Sequence, residues 1–157
     1  MTDYMDQMRN FASGMNQGSP QAQALKLETV SMDRDGAVLR VPYDEKLIGD
    51  PETGVIAGGV VTTLLDHACG QAVHTGLTEF KTIATLDLRI DYMRAAEPGK
   101  DLYARAHCYK VTRSVAFVRA VAYDVDPSDP VAAAQAAFML DSNGGRGFGA
   151  NRGTGRK

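Results

Sequence analysis

Asp66 is the only carboxylate between Gly58 and Gly76, a stretch otherwise written largely in Val, Thr, Leu, Ala and Gly. An ionised group is costly to bury there unless it is paired. Desolvation would raise its pKa, making it a better proton acceptor near neutral pH and a candidate nucleophile. The plainer reading places Asp66 on the one wet face of a helix, or capping a nearby backbone group. Gly58 and Gly59 open the same stretch. Without side chains they let a ligand carbonyl approach the backbone, and the free amides of a helix start can hold a developing oxyanion. A Gly-Gly pair is equally the mark of a turn. A carboxylate and an oxyanion donor are parts that acyl transfer uses. Eight residues at a helical rise of about 1.5 Å put Gly58 and Asp66 roughly 12 Å apart along one helix. One helix cannot bring both to one carbonyl; if both act, they come from different subunits.

Thr85 begins the polar face of a later strand, where its hydroxyl could orient a water or the carboxylate, although a surface strand Thr is the common case. Arg113, in a turn between strands, is a candidate contact for a substrate phosphate, set against an ordinary solvated turn. His67, Gln71 and His74 recur at i, i+4 and i+7 as a polar stripe, but two His without a third ligand nearby argue against a metal. Cys69 and Cys108 lie in apolar surroundings without C-x-x-C spacing. Free buried thiols are expected there, not a disulfide or a zinc site. Neither a metal nor a cofactor is expected.

These residues need elements to position them. Tyr4, Met8, Phe11 and Met15 fall at i, i+4, i+7 and i+11, one face of a short amphipathic helix that Gly18, Ser19 and Pro20 end. Leu25 to Met32 and Gly36 to Pro42 read as two strands around an Asp33-Arg34-Asp35-Gly36 turn. Residues 49–54 are rich in breakers and read as a loop. From Gly58 to about Gly76 a helix is expected, apolar nearly all round. From Lys81 the period becomes two, with Ala84, Leu86, Leu88, Ile90 and Tyr92 on a buried face and Thr85, Asp87, Arg89 and Asp91 on the other. Strands near 100–112, 114–125 and 130–140 follow. The expected fold is α+β: a six-stranded antiparallel sheet wrapped around one long central helix, the hotdog arrangement, with an N-terminal amphipathic helix. The expected organisation is an N-terminal helix over 1–18, a body over 19–141, and a disordered Gly/Arg tail over 142–157.

The 157 residues are 44% hydrophobic and 23% charged, the balance of an ordinary globular chain. The formal charge of −2 is uneven, because Arg146, Arg152, Arg156 and Lys157 crowd the end without an acid. Those cations lack interleaved aromatics beyond Phe148, so no nucleic-acid partner is expected. With no apolar run near the roughly 18 residues that span a bilayer, and acids at Asp3 and Asp6, no membrane association and a cytoplasmic location are expected.

The run Gly-Val-Ile-Ala-Gly-Gly-Val-Val-Thr-Thr-Leu-Leu-Asp at 54–66, followed by Ala-Thr-Leu-Asp-Leu-Arg-Ile-Asp-Tyr-Met-Arg-Ala-Ala from Ala84, resembles the PaaI-type hotdog thioesterase family over roughly residues 36–140. The resemblance implies that Asp66 is a general base or nucleophile, that a Gly58 or Gly59 amide binds the thioester oxygen, and that Thr85 helps to position the attacking water. It also implies an acyl-CoA substrate with its phosphates on the protein surface, no metal, and a homo-oligomer of dimers that pair into tetramers. The family's motif His falls on Ala57, and the Asn of some members falls on Pro51. The expected function is hydrolysis of acyl-CoA-type thioesters at an intersubunit site. The Ala57 departure keeps open a non-catalytic acyl-CoA-binding module on the same fold. A hydroxyacyl-thioester dehydratase would need a His partner that position 57 lacks, and an interaction protein would work through the tail.

Overall fold

The computed structural model describes residues 3–141, and a helix lying across an antiparallel sheet is its organising feature. In chain order the elements are α1 (Tyr4–Gly18), α2 (Pro20–Ala24), β1 (Glu28–Asp33), β2 (Gly36–Val41), a 3-10 turn (Glu45–Leu47), β3 (Ile48–Asp50), β4 (Val55–Ile56), α3 (Gly58–Gly76), β5 (Thr82–Tyr92), β6 (Leu102–Val111), β7 (Val115–Tyr123) and β8 (Ala132–Asp141). The six long strands form one sheet in the order β1-β2-β6-β7-β8-β5, antiparallel throughout. This is the hotdog fold. The Gly/Arg tail expected over 142–157 lies outside the described residues.

The sheet's inner face is unusually small-sided. Ala104, Ala122 and Ala132 form one buried cross-strand row, and Ala106, Ala120 and Ala134 the next. A carpet of methyl groups lets α3 sit close to the backbone of β6 and β7, and Leu64, Leu65, Ala68, Ala72 and Val73 are fully buried against it. Gly76 ends α3 where a side chain would strike Cys108 Sγ at 3.0 Å. Arg34, in the β1–β2 turn, then donates to the carbonyls of Thr75 and Leu77, answering the acceptors that a helix C-terminus leaves open. Gly36 is required in that turn: its φ is +140°, and an added Cβ would lie 2.0 Å from the Ala106 carbonyl oxygen.

Four local features differ from the sequence expectation. The buried face of α1 is Met5, Met8, Ala12 and Asn16, rotated from the Tyr4–Met15 stripe, and Phe11 lies at its margin against His74 and Phe80. Ser19 and Pro20 do not only end α1; Ser19 Oγ accepts the Ala22 amide and Pro20 starts α2. The breaker-rich loop is the turn of a small β3–β4 hairpin. Finally, β5 carries a bulge between Thr85 and Asp87, so its alternation is broken at Leu86, which is 56% exposed.

Candidate active site

The bulge decides which β5 side chains meet the helix. Thr85 pairs across the ladder with the buried Phe138, and Tyr92 with the buried Ala132. Both therefore point to the inner face, whereas a regular strand would hold them on opposite faces. The expected grouping of Thr85 with Asp87, Arg89 and Asp91, away from the core, is corrected by this one extra residue. The burial expected of Leu86 and Tyr92 is corrected with it, since both are more than half exposed.

Toward β5, α3 shows the half-buried Thr62 and Asp66; Thr63 and His67 beside them are also half-buried, with Gln21 of α2 reaching Thr63 Oγ1 at 3.4 Å, while the later residues from Ala68 to Thr75 are buried all round. The helix is thus less enclosed at its start than its composition suggested. Asp66 lies on this partly covered face at the edge of the sheet, where it accepts a 3.0 Å hydrogen bond from the Thr85 hydroxyl. Thr85 itself is exposed. The paired, edge-facing carboxylate joins the two readings of Asp66: it is on the wetter face, and it has a dedicated donor.

At the start of α3, Ala57 occupies the N-cap without a side-chain hydrogen bond. The Val60 amide reaches the Ala57 carbonyl at 3.0 Å, and the Gly58 and Gly59 amides precede it in the first turn, where a helix has no carbonyl to offer. Both glycines are exposed. Two hydroxyls gather on the Gly58 carbonyl: Tyr92 Oη donates at 2.9 Å, Thr62 Oγ1 lies at 3.2 Å, and the two hydroxyl oxygens are 2.6 Å apart. Sequence reasoning missed this cluster, because the bulge that aims Tyr92 has no compositional mark. Pro51 lies exposed in the β3–β4 turn.

The other candidates go elsewhere. Arg113 is exposed in the β6–β7 turn and touches neither the Asp66–Thr85 pair nor the helix start. The His67, Gln71 and His74 stripe splits. His67 Nδ1 sits 3.0 Å from the Thr63 carbonyl. Gln71 closes a ring with Asn16 and Thr29 that ties α1 and β1 to α3. His74 is stacked on Phe80 with Phe11 edge-on, and burial lowers its pKa to about 4. Cys69 is buried, its thiol pushed up to about 12 by burial and then by nearby Asp66, so it is no nucleophile at neutral pH. Burial also raises Cys108. Among the described residues no group of three or more His, Cys, Asp or Glu is arranged to hold a metal, and no helix is long and apolar enough to cross a membrane. A groove of about 750 Å³ lies between α1 and β1, lined by Arg9, Asn16 and Thr29 among others, away from Asp66.

The Thioesterase superfamily model matches residues 53–131. A Pseudomonas aeruginosa protein of known crystal structure is 44% identical, with a TM-score of 0.75, covering 87% of this chain and 98% of that one. A point mutant of the phenylacetic acid degradation protein PaaI from Thermus thermophilus shares the fold at 24% identity and a TM-score of 0.66, over 77% of this chain and 98% of that one. A curated Halobacterium salinarum relative, described as a candidate esterase, is 40% identical over 80 residues, 49% of this chain; the match spans about half of that protein, 52% of its length.

Proposed function

Because the chain belongs to the thioesterase superfamily, we propose that it hydrolyses acyl-CoA-type thioesters to free acid and CoA at a site completed by a second copy. The observation that carries this reading is the Thr85–Asp66 hydrogen bond on the half-covered face of α3. Asp66 takes a proton from water as the water oxygen bonds to the thioester carbonyl carbon, and Thr85 holds the carboxylate in line. The oxyanion that forms rests on the Gly58 or Gly59 amide of the other copy. Its collapse restores the carbonyl and breaks the C–S bond, releasing the acid and the CoA thiolate. In the alternative route the Asp66 carboxylate attacks the carbonyl carbon and expels the CoA thiolate, and water then cleaves the resulting anhydride to release the acid and restore the carboxylate.

Assembly follows from the same edge. Among the described residues β5 ends the sheet, eleven residues long and without a partner strand on its outer side. Such an edge invites pairing. Two β5 edges joined in a dimer would continue the sheet and bring one copy's α3 start toward the other's Asp66. Dimers then pair into tetramers in a cytoplasmic setting, and Arg113, exposed in its turn, meets the CoA phosphates.

The second reading is a binding module that holds acyl-CoA without cleaving it, and Ala57 at the N-cap favours it, since its methyl group makes no capping hydrogen bond to the helix start. Thiol release from short, medium, long and aryl acyl-CoAs decides between them, with wild type and Asp66→Asn run together. Turnover that falls by at least about 100-fold in a normally folded Asp66→Asn supports hydrolysis. An unchanged rate in the variant overturns the role of Asp66. Binding of the esters with no turnover gives the binding module.

A further inference from the structure

We infer that Tyr92 is a positioning residue for the oxyanion-binding start of α3, acting with Thr62 through the Gly58 carbonyl; the inference rests on the hydrolytic reading above. Two consecutive glycines open α3, the most permissive backbone available for the turn whose amides must point at one oxygen. Tyr92 and Thr62 restrain it. Each hydroxyl has one proton, so with the two oxygens 2.6 Å apart one hydroxyl donates to the other and the other donates to Gly58 O. In either direction a hydroxyl proton ends on that carbonyl. The Gly58 carbonyl and the Gly59 N–H belong to one peptide unit, and a bond accepted at its oxygen draws density from its nitrogen. The Gly59 amide becomes the stronger donor.

The surroundings agree with this role. A Cβ added at Gly58 would rest 3.7 Å from the Tyr92 ring, whereas one at Gly59 would meet nothing within 4 Å. The ring thus lies alongside Gly58, while the approach to Gly59 is open. Tyr92 is itself held from behind: the Met93 and Arg94 amides both reach the Val131 carbonyl, and Arg94 is clasped by Asp124. Tyr92 does for the helix start what Thr85 does for Asp66, from the same strand.

The test measures kcat and KM for Tyr92→Phe, Thr62→Val and the double variant, on an acyl-CoA that the wild type cleaves. Thr62 can donate directly when the phenol is gone, so the single variants should lose kcat by about 3- to 10-fold and the double by about 10- to 30-fold, with KM within about twofold. A change confined to KM would overturn the inference and make Tyr92 a wall of the acyl pocket. An unchanged double variant would overturn it too, leaving hydrolysis intact. Amide-proton NMR gives a readout independent of turnover. The Gly59 amide should move upfield in the double variant; if it does not move, the tether is absent, and a wild type that cleaves no ester would refute the hydrolytic reading separately.

Discussion

Thr85 and Tyr92 lie seven positions apart on one strand, an odd offset that regular alternation would put on opposite faces, yet both hydroxyls reach the same helix, Thr85 to Asp66 and Tyr92 to the Gly58 carbonyl. The bulge at Leu86 makes this possible by adding one residue to β5 against β8. A single backbone irregularity thus aligns the partners of both halves of the candidate site.

Thr85→Val keeps the shape of the side chain and removes its hydroxyl. A hydrogen bond to a charged group contributes about 1.5–3 kcal/mol, so the rate of thiol release should fall roughly 10- to 100-fold, with Thr85→Ser close to wild type. Equal rates in Thr85→Val and wild type would leave the hydroxyl without a role in turnover.

His74 makes stability depend on pH. Its folded-state pKa is about 4 against an ordinary 6.5. Between those values the unfolded chain binds a proton that the folded protein refuses, so stability is whole above about pH 6.5 and falls as pH drops toward 4. The loss is at most roughly 3 kcal/mol. Burial among Phe11 and Phe80 is the cause of the shift; Arg34 caps the same helix end through the Thr75 carbonyl, and Glu79 pairs with Lys81 a few residues further along the chain. Urea midpoints at pH 7.5 and 4.5 should separate widely in wild type and less in His74→Leu. Equal separations would assign the acid sensitivity to other groups.

The Arg94–Asp124 pair acts in a different window. Asp124 accepts two guanidinium bonds at 2.9 and 2.6 Å, together with the Glu97 and Val125 amides, and Arg94 holds its carboxyl well below the usual carboxylate range. Its stabilisation is present above the ordinary carboxylate value and is lost as pH falls below it. Arg94→Met strands a buried carboxylate, which should cost about 3 kcal/mol in a denaturant titration at neutral pH. A loss under about 0.5 kcal/mol would show that the backbone amides suffice.

Much of this was legible in the sequence. The absence of Pro and the length of the apolar run fix α3 at Gly58–Gly76, and the turn residues place the four strands from β5 to β8 within a few positions. Asp66 stands out as a lone carboxylate, and Thr85 does reach it. What escaped is non-local. The bulge at Leu86 arises from the fit of β5 to β8, not from any residue in it, so strict alternation put Thr85 on the wrong face. The Tyr92–Thr62–Gly58 cluster depends on that same fit. Gln71 and His74 look like a ligand stripe in one dimension and are consumed in packing under α1. The α2 turn, by contrast, carried its own signal in a Ser cap followed by Pro.

The shared site can be tested by mixing two inactive variants, Asp66→Asn and Gly59→Val, by co-refolding or co-expression. A side chain at Gly59 meets nothing in its own protomer, so that variant should fold. If Asp66 serves a carbonyl held by the other copy, each mixed dimer regains one intact site, and about a quarter of wild-type thiol release should return. If the mixture stays as inactive as its components while mixed dimers are shown to form, Asp66 and the helix start do not act across a subunit boundary.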